Sequence, residues 1–392
     1  MTEQAASLYQ SARRALAGGN LVASRDALAE ALALDAGNIR GWLNLAAVSR
    51  QLDDVNAALR ALREVLRLEP RNFAALLMMG SLQERQAQAK EAALSYGSAL
   101  SVAPPEYYLD APTQQALSHA RDFYARHNLQ LGSFVRTKIE SATNRCSVAE
   151  RQRIEAFVGT TLRTRKRYQQ DPLEYYYPGL PAIEFYERGM FPWMGAFEAS
   201  TTAMLEELQA VLRQDQAHLS PYIHYPDHVP LDQWRELNNS PRWSAFHFFE
   251  RGIPVAARCE RAPATFAAVS RLPQPTVAMR SPCALFSVLQ PHTHIPPHTG
   301  VGNFRLVVHL PLILPSGCRF RVGHTTQPWR VGEAWVFDDT IEHEAWNDSD
   351  EPRTILICDI WSPYLSPDER AVIAQVIAAT DAYSGMPPTS QI

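Results

Sequence analysis

Apolar residues in the first hundred positions recur at a helical spacing, and this pattern itself repeats along the chain. The segment LAEALALDAGN (28–38) aligns with LREVLRLEPRN (62–72) at an offset of 34 residues, which pairs Leu28 with Leu62. A third copy follows at the same offset and pairs Ala58 with Ala92, so the period is not an accident of one segment. Such a period predicts pairs of helices that bury their apolar faces against neighbouring pairs.

The repeated segments resemble a tetratricopeptide array. Trp42, Leu45, Ala58 and Pro70 stand at the positions that this family prefers in the second unit. The resemblance implies an all-α solenoid over residues 1–106, in which small side chains let two helices approach closely. It also implies a concave groove for a peptide or protein partner. The alternative is that the repeats only stabilise the rest of the chain or mediate dimerisation.

Residues 107–170 keep a helical pattern but lose the repeat, and we interpret them as a helical linker. Within this segment Ser147 is followed three residues later by Glu150, which predicts a capping box at the start of a helix.

After Pro172 the chain changes to short runs rich in Val, Ile, Leu and aromatic residues, separated by Pro, Gly and Asp. These runs are FSVL (286–289), RLVVHLPLIL (305–314), CRFRVG (318–323), EAWVFDD (333–339) and TILICDIW (354–361). Short strands between turn residues predict a β sandwich or barrel. We place this β domain over residues 171–365, followed by a C-terminal helix and tail over residues 366–392.

The strand-rich half contains a cluster of three histidines, HTHIPPHTG (292–300). His294 and His298 have the spacing of two metal ligands on a helix, but the two prolines between them exclude a helix. A ligand pair of His292 and His294 on one strand would need a glutamate soon afterwards, and none follows closely. What remains is His298 after a proline turn and His343 far downstream, with strands between them. This layout is typical of iron oxygenases whose ligands come from two separate strands of a barrel.

Two longer stretches carry a resemblance to a known family. FSVLQPHTHIPPHTGVGNFRLVVHLPL (286–312) and GEAWVFDDTIEHEAWNDSDEPRTILICDIWSP (332–363) together resemble the aspartyl/asparaginyl β-hydroxylase family of Fe(II)/2-oxoglutarate oxygenases. YPGLPAIEFYERGMFPWM (177–194) is similar to the segment with which the family's domain begins. The resemblance implies a double-stranded β-helix (jelly roll) with flanking helices. It also implies Fe(II) and 2-oxoglutarate as cofactors.

The family's metal ligands correspond to His298 and His343, and the resemblance assigns no catalytic side chain beyond the metal site. Most 2-oxoglutarate oxygenases carry a carboxylate two residues after the first histidine, but Gly300 stands there, as in this family. The resemblance therefore implies a metal with two protein ligands. We expect Asp338 and Asp339 to orient His343 through a hydrogen bond.

The resemblance also assigns the residues that hold 2-oxoglutarate. Arg353 matches the arginine that binds the distal carboxylate, and Ser287 matches the hydroxyl group that shares it. Arg353 follows His343 by ten residues, which places both on one face of a strand if that strand is regular. His309 matches the histidine that contacts the 1-carboxylate near the metal.

Arg305 is the residue that the resemblance assigns to the substrate. Animal members of the family carry two arginines in this strand, whereas NFRLVVHL keeps Arg305 and has Val307 at the second position. We therefore expect one free cation for a substrate acid or amide. Four neighbouring side chains are expected on the surface, in supporting roles or facing away from the metal: His292, His294, Glu342 and Glu344.

The composition argues against several classes of function. The net charge of −4 and the pI near 6.3 give no basic surface for nucleic acid. Five scattered cysteines without a CxxC pair indicate reduced thiols. We find no signal peptide and no run of eighteen apolar residues, so we expect a cytoplasmic protein without a membrane span.

The sequence thus predicts an Fe(II)- and 2-oxoglutarate-dependent dioxygenase that hydroxylates a C–H bond. The favoured substrate is an aspartyl/asparaginyl-type residue in a peptide, protein or carrier-bound molecule. A free amino acid or a lipid-linked acyl chain is the alternative substrate. A third hypothesis is a non-catalytic scaffold whose repeats bind a partner, but an inert barrel would not need His298, His343, Arg353 and Ser287 together.

Overall fold

The computed structural model describes residues 2–214, 219–226, 228 and 230–384, without the side chains of residues 148 and 149. The chain divides into two compact units, Met1–Arg165 and Lys166–Ile392. The predicted C-terminal tail lies mostly outside the described residues. None of the helices in the described ranges is long and apolar enough to span a bilayer.

The first unit is entirely helical. Its α-helices are α1 (Glu3–Ala17), α2 (Leu21–Leu34), α3 (Ile39–Gln51), α4 (Val55–Leu68), α5 (Phe73–Arg85), α6 (Ala89–Ser101), α7 (Ala111–Thr143) and α8 (Val148–Thr161). Helices α2, α4 and α6 start at residues 21, 55 and 89, so the structure repeats every 34 residues, as the sequence does. The predicted pairs of helices and their 34-residue period are thereby confirmed.

Polar caps and small residues explain this repeat. Asn38 and Asn72 each accept a hydrogen bond from a backbone N–H three residues later, at the starts of α3 and α5. Ala58 and Ala92 are completely buried, because α4 and α6 each pack closely against neighbouring helices there. Further along, Ser147 forms the predicted capping box at the start of α8.

The second unit contains two antiparallel sheets and several helices. Its strands are β1 (Ser220–Pro221), β2 (Trp243–His247), β3 (Phe249–Glu250), β4 (Ile253–Pro254), β5 (Ala284–Leu289), β6 (Thr293–His298), β7 (Arg305–Ile313), β8 (Cys318–Val322), β9 (Thr325–Gln327), β10 (Trp335–Phe337), β11 (His343–Asn347) and β12 (Arg353–Trp361). Its α-helices are α9 (Met194–Glu198), α10 (Thr201–Gln214), α11 (Ala256–Arg261), α12 (Pro263–Val269) and α13 (Pro367–Ser384). Each predicted β run contains a strand.

The larger sheet has the strand order β1-β2-β5-β12-β7-β10, and the smaller one has the order β6-β11-β8-β9. The small pair β3 and β4 forms a separate hairpin. Every pairing between these strands is antiparallel.

Alternation along the central strands separates the two faces of the larger sheet. On β7, Leu306 and Val308 belong to an apolar cluster that also contains Met204 and Leu208 of α10. The next residue along β7 from Leu306, Val307, belongs instead to a second cluster shared with strands of the smaller sheet. Helices therefore cover the outer face, and the inner face is left to enclose a cavity.

Candidate active site

A cavity of about 480 Å³ lies between the two sheets. The inner face of β5, β7 and β12 supplies one side of its lining, and β6, β8 and β11 supply the other. All six residues that the sequence assigned to the site line this one cavity: Ser287, His298, Arg305, His309, His343 and Arg353. They come from five strands, so the fold brings together side chains that are up to 66 residues apart in the sequence.

His298 and His343 form an adjacent pair. They are direct register partners at the ends of β6 and β11, and their ring centroids are 4.0 Å apart. In each ring Nδ1 donates to a carbonyl oxygen two residues earlier, Pro296 at 2.7 Å and Ile341 at 3.1 Å. A carbonyl can only accept, so Nδ1 carries the proton and each Nε2 has a free lone pair.

Burial keeps both rings neutral. It lowers the pKa of His298 to about 3, with a further contribution from the neighbouring His343, and lowers the pKa of His343 to about 4. Neutral imidazoles with free Nε2 lone pairs are the form that binds a metal ion.

Two expectations about these histidines are wrong in detail. His298 does not follow a proline turn, because Pro296 and Pro297 lie within β6. That strand is at the edge of its sheet, where a missing N–H is tolerated. Backbone carbonyls, and not the carboxylates of Asp338 and Asp339, accept the Nδ1–H of the two rings.

Gly300 leaves no room for a third side-chain ligand. A Cβ atom at this position would overlap the carboxylate of Asp339. Within the described part of the chain, no three or more His, Cys, Asp or Glu side chains are grouped to hold a metal ion. A metal at His298 and His343 would therefore have two protein ligands and would take its other ligands from small molecules.

Arg353 is a buried cation. Its side chain is 1% exposed, and Nε and Nη1 have no hydrogen-bond partner among the described residues. Burial lowers the pKa of Arg353 to about 10. The ring of Trp329, 5.0 Å from the guanidinium carbon, is a weak substitute for an anion. A buried guanidinium with unused donors is suited to bind a carboxylate from a ligand.

The prediction that Arg353 lies on the same strand face as His343 is wrong, although Arg353 does line the cavity. His343 and Arg353 do not share a strand, because β11 ends at Asn347 and β12 belongs to the other sheet. Ser287, on β5, lies opposite Ile355 of β12. Its hydroxyl oxygen accepts a hydrogen bond from Trp243 Nε1 at 3.0 Å, which leaves the hydroxyl proton free to donate to a ligand.

His309 lies on β7 with an aromatic environment. Its ring is 4.7 Å from that of Phe337 and 5.0 Å from that of Phe320, centroid to centroid. Burial lowers the pKa of His309 well below its ordinary value, and Arg353 contributes to this effect. Nδ1 has no hydrogen-bond partner among the described residues. The neutral ring can therefore offer one N–H to a ligand in the cavity.

Arg305 is not the free cation that the sequence led us to expect. Its Nη2 donates to Asp339 Oδ2 at 2.9 Å, and both side chains are buried. Since a guanidinium paired in this way is already neutralised, a substrate acid would have to compete with Asp339 for it.

The neighbouring histidines and glutamates lie outside the cavity. His292 is exposed and pairs with Asp350 at 2.9 Å. His294 pairs with Glu344 at 3.0 Å and stacks on Trp346. Glu342 accepts from Arg321 at 2.9 Å, away from the metal-binding pair.

Two side chains that the sequence analysis missed also line the cavity. Trp243 stacks on Tyr222, with ring centroids 3.9 Å apart, and holds Ser287. Asp359 is 2% exposed and lies on the same strand face as Arg353. The signal for Asp359 was the alternation in TILICDIW, because every second residue after Arg353 faces inward.

Residues 170–177 form backbone hydrogen bonds to the chain near both His298 and His343. Asp171 N donates to Thr340 O at 2.8 Å, and Leu173 N donates to Gly300 O at 2.9 Å. Asn303 fastens this segment through three hydrogen bonds, two to the backbone of residue 177 and one to the side chain of residue 170. Residues 170–177 therefore link the chain just after His298 to the chain just before His343.

Comparisons with known proteins place the second half of the chain among sequences similar to hydroxylases. Residues 198–363 match the family described as aspartyl/asparaginyl β-hydroxylase. The human aspartyl/asparaginyl β-hydroxylase is 36% identical over 143 residues, 36% of this chain and 18% of that protein. An ornithine lipid ester-linked acyl 2-hydroxylase from Rhizobium tropici is 33% identical over 198 residues, 50% of this chain and 66% of that protein. The matches thus cover less than two thirds of each relative.

Solved structures with partial similarity to this chain include tetratricopeptide domains. An Arabidopsis OM64 domain has a TM-score of 0.27 and 21% identity, covering 32% of this chain and 97% of its own. The first such domain of Spaghetti, bound to an HSP90 peptide, has a TM-score of 0.28 and 16% identity, covering 32% and 96%.

Proposed function

Residues 198–363 belong to the aspartyl/asparaginyl β-hydroxylase family, and on that premise we propose that the protein is an Fe(II)- and 2-oxoglutarate-dependent hydroxylase. One observation carries the proposal. A buried guanidinium with unused donors lines the same cavity as two adjacent neutral imidazoles. A structural core has no reason to keep this combination, because each unsatisfied group costs free energy.

The residues fit a divalent iron ion. His298 and His343 would hold it through their Nε2 atoms, with their Nδ1–H groups fixed by backbone carbonyls. Imidazole nitrogens together with oxygen ligands from a cosubstrate and water form a donor set that Fe(II) accepts. Because a side chain at position 300 would overlap Asp339, the remaining coordination positions of the metal would be left to small ligands.

The residues also fit 2-oxoglutarate. Arg353 would bind the distal carboxylate, and Ser287 would donate its hydroxyl proton to the same group. His309 would donate an N–H to the 1-carboxylate. When bound, Fe(II) and 2-oxoglutarate would supply the oxidising power for C–H hydroxylation, with O₂ consumed and succinate and CO₂ released.

The protein's own contribution is to bind and orient. The aromatic side chains of Tyr222, Trp234 and Trp243 line the cavity and would limit the access of bulk water to a bound substrate. No side chain is needed as a nucleophile. We further propose that the two sheets form a double-stranded β-helix, and that the chain works in the cytoplasm, as five free cysteines favour.

The description of the matched family suggests the first candidate for the substrate class. We propose hydroxylation of an aspartyl/asparaginyl-type residue in a peptide, protein or carrier-bound molecule, with the tetratricopeptide repeats binding the substrate or a partner. An acyl chain is the second candidate. Its support is the apolar lining at positions such as Val307, Ile355 and Ile357, and the acyl 2-hydroxylase among the relatives.

The experiment measures metal binding and turnover in parallel. Mn²⁺ binding, followed by electron paramagnetic resonance, should be lost in His298→Ala and His343→Ala and kept in His294→Ala, because only the first two rings line the cavity. With Fe(II), 2-oxoglutarate and O₂, the unchanged protein should form succinate and the first two variants should not. Equal metal loss in His294→Ala, or no binding of 2-oxoglutarate to the unchanged protein, would reject the proposal.

A further inference from the structure

One side of the cavity is built from three buried charged residues, which we call the acidic wall: Arg305, Asp339 and Asp359. Arg305 is on β7 and Asp359 is on the adjacent strand β12. The guanidinium of Arg305 is committed to Asp339 at 2.9 Å. The wall thus holds two carboxyl groups and one arginine, so it has no cation left over.

Asp359 forms no ion pair with any described residue, because the nearby Arg305 is paired with Asp339. Its Oδ1 accepts from Cys283 N at 2.9 Å and from the Gln274 amide at 3.4 Å. Its Oδ2 has no hydrogen-bond partner among the described residues. Burial raises the pKa of Asp359 to about 7, and the nearby Arg305 and the two hydrogen bonds offset this effect only in part.

The register of β7 and β12 explains this deficit. Val307 lies directly opposite Asp359 in the sheet, and both side chains line the cavity. A long cationic side chain at position 307 would therefore be within reach of the Asp359 carboxylate. Valine gives Asp359 an apolar neighbour instead, and it offers no cation to an acidic substrate group.

A substrate carboxylate is poorly suited to this wall. It would lie beside Asp359, whose carboxyl group forms no ion pair among the described residues, and it offers only acceptors to an acceptor-rich wall. A carboxamide carries no charge, its NH₂ group can donate to a carboxylate oxygen, and its oxygen can accept from a guanidinium N–H. Arg305 Nε is one such donor without a partner among the described residues.

On the basis of the hydroxylase function proposed above, we propose that the substrate group bound beside the acidic wall is an uncharged carboxamide and that the site discriminates against the matching carboxylate. Within the aspartyl/asparaginyl pair, this assigns the asparaginyl type to the chain. The acidic wall is a specificity element, distinct from the residues that would hold Fe(II) and 2-oxoglutarate.

Binding without turnover gives the direct test. The full chain is loaded with Mn²⁺ and 2-oxoglutarate under argon and titrated calorimetrically with N-acetyl-asparagine methylamide or N-acetyl-aspartate methylamide. We expect the asparagine probe to bind at least about tenfold more tightly, because only the aspartate probe brings a charge next to the wall. Asp359→Asn should reduce this ratio, while Asp350→Asn, which changes an exposed carboxylate outside the cavity, should keep it.

Variants that add a cation at position 307 provide a second test of the acidic wall. In Val307→Arg the new guanidinium would pair with Asp359, so the preference should fall only in part. Combining Val307→Arg with Asp359→Asn would leave that guanidinium free, and the preference should reverse toward the aspartate probe. If either variant fails to fold by circular dichroism, the other one and the unchanged protein still decide the matter.

Turnover with Fe(II) and O₂ separates this inference from the proposed function. The asparagine probe should raise succinate formation above the rate without substrate and yield a product heavier by one oxygen atom. Equal or better binding of the aspartate probe overturns the inference, and so does binding of neither probe at millimolar concentration by a protein that binds 2-oxoglutarate. Failure to bind 2-oxoglutarate would instead reject the hydroxylase function.

Discussion

Replacing Arg353 by leucine should weaken cosubstrate binding and, at the same time, stabilise the protein without ligand. The guanidinium is 1% exposed, and two of its nitrogens have no hydrogen-bond partner in the described structure. Burial lowers its pKa to about 10, so the folded protein holds the charged form at a cost. That cost applies at every pH below about 10, because the unfolded chain keeps the arginine charged and hydrated there.

The magnitudes follow from these values. A fall in the pKa from the ordinary value to about 10 corresponds to about 3 kcal/mol against the charged form. Leucine would recover this free energy and lose the contact of the cation with the Trp329 ring, which contributes about 1–2 kcal/mol. The free energy of unfolding should therefore rise by about 1–2 kcal/mol. Removing one member of a buried ion pair costs about 3–5 kcal/mol. The dissociation constant for 2-oxoglutarate should rise by a factor of about 10² to 10³ or more.

The assay compares two quantities in one variant. Calorimetric titration of 2-oxoglutarate into Mn²⁺-loaded protein under argon gives the dissociation constant, and urea unfolding without ligands gives the stability. Arg319→Leu is the matched control, because Arg319 is an exposed arginine 4.6 Å from an aromatic ring, that of Trp346. It should change neither quantity by much. An unchanged dissociation constant in Arg353→Leu would mean that the distal carboxylate is held elsewhere, and a large loss of stability would mean that the guanidinium has a partner within the fold.

Two further substitutions test the surroundings of the metal-binding pair. Gly300→Ala places a Cβ atom on the Asp339 carboxylate and should lower the free energy of unfolding in urea by about 3 kcal/mol. Gly195→Ala is the control and should lower it by nothing, because no atom lies within 4 Å of the added Cβ. Similar stabilities of the two variants would show that Asp339 moves aside freely. Asn303→Ala removes three partly buried hydrogen bonds and should cost about 3 kcal/mol, compared with almost nothing for the exposed Asn56→Ala. A loss below about 1 kcal/mol would mean that residues 170–177 are held by other contacts.

Most of the fold could be predicted from local patterns in the sequence. The 34-residue period was visible because each repeat places small and apolar residues at the same points of a helix pair, as the buried Ala58 and Ala92 do. The strands β5, β7, β8, β10 and β12 were visible as short β-rich runs bounded by turn residues. Both signals depend only on neighbours in the sequence, which is why they could be recognised without a structure.

Contacts between distant strands were not accessible in this way. Pro296 and Pro297 signal a turn by local chemistry, yet they lie in β6, because only the position of a strand at a sheet edge makes two missing N–H groups tolerable. Arg305 was predicted to be unpaired because its partner is distant in the sequence. Its partner Asp339 comes from the chain just after β10, and nothing in the residues around Arg305 indicates this pairing.

The substitution at position 307 shows how the two kinds of information combine. From the sequence alone, valine at this position meant one cation fewer for the substrate. The strand register adds that Val307 faces Asp359, so valine also leaves one oxygen of a buried carboxyl group without a partner among the described residues. A missing arginine and an unpaired carboxyl group both act against an anionic substrate. The difference between an acid and its amide at this site is therefore set by the pairing of two strands, and it should respond to a change in either residue of the pair.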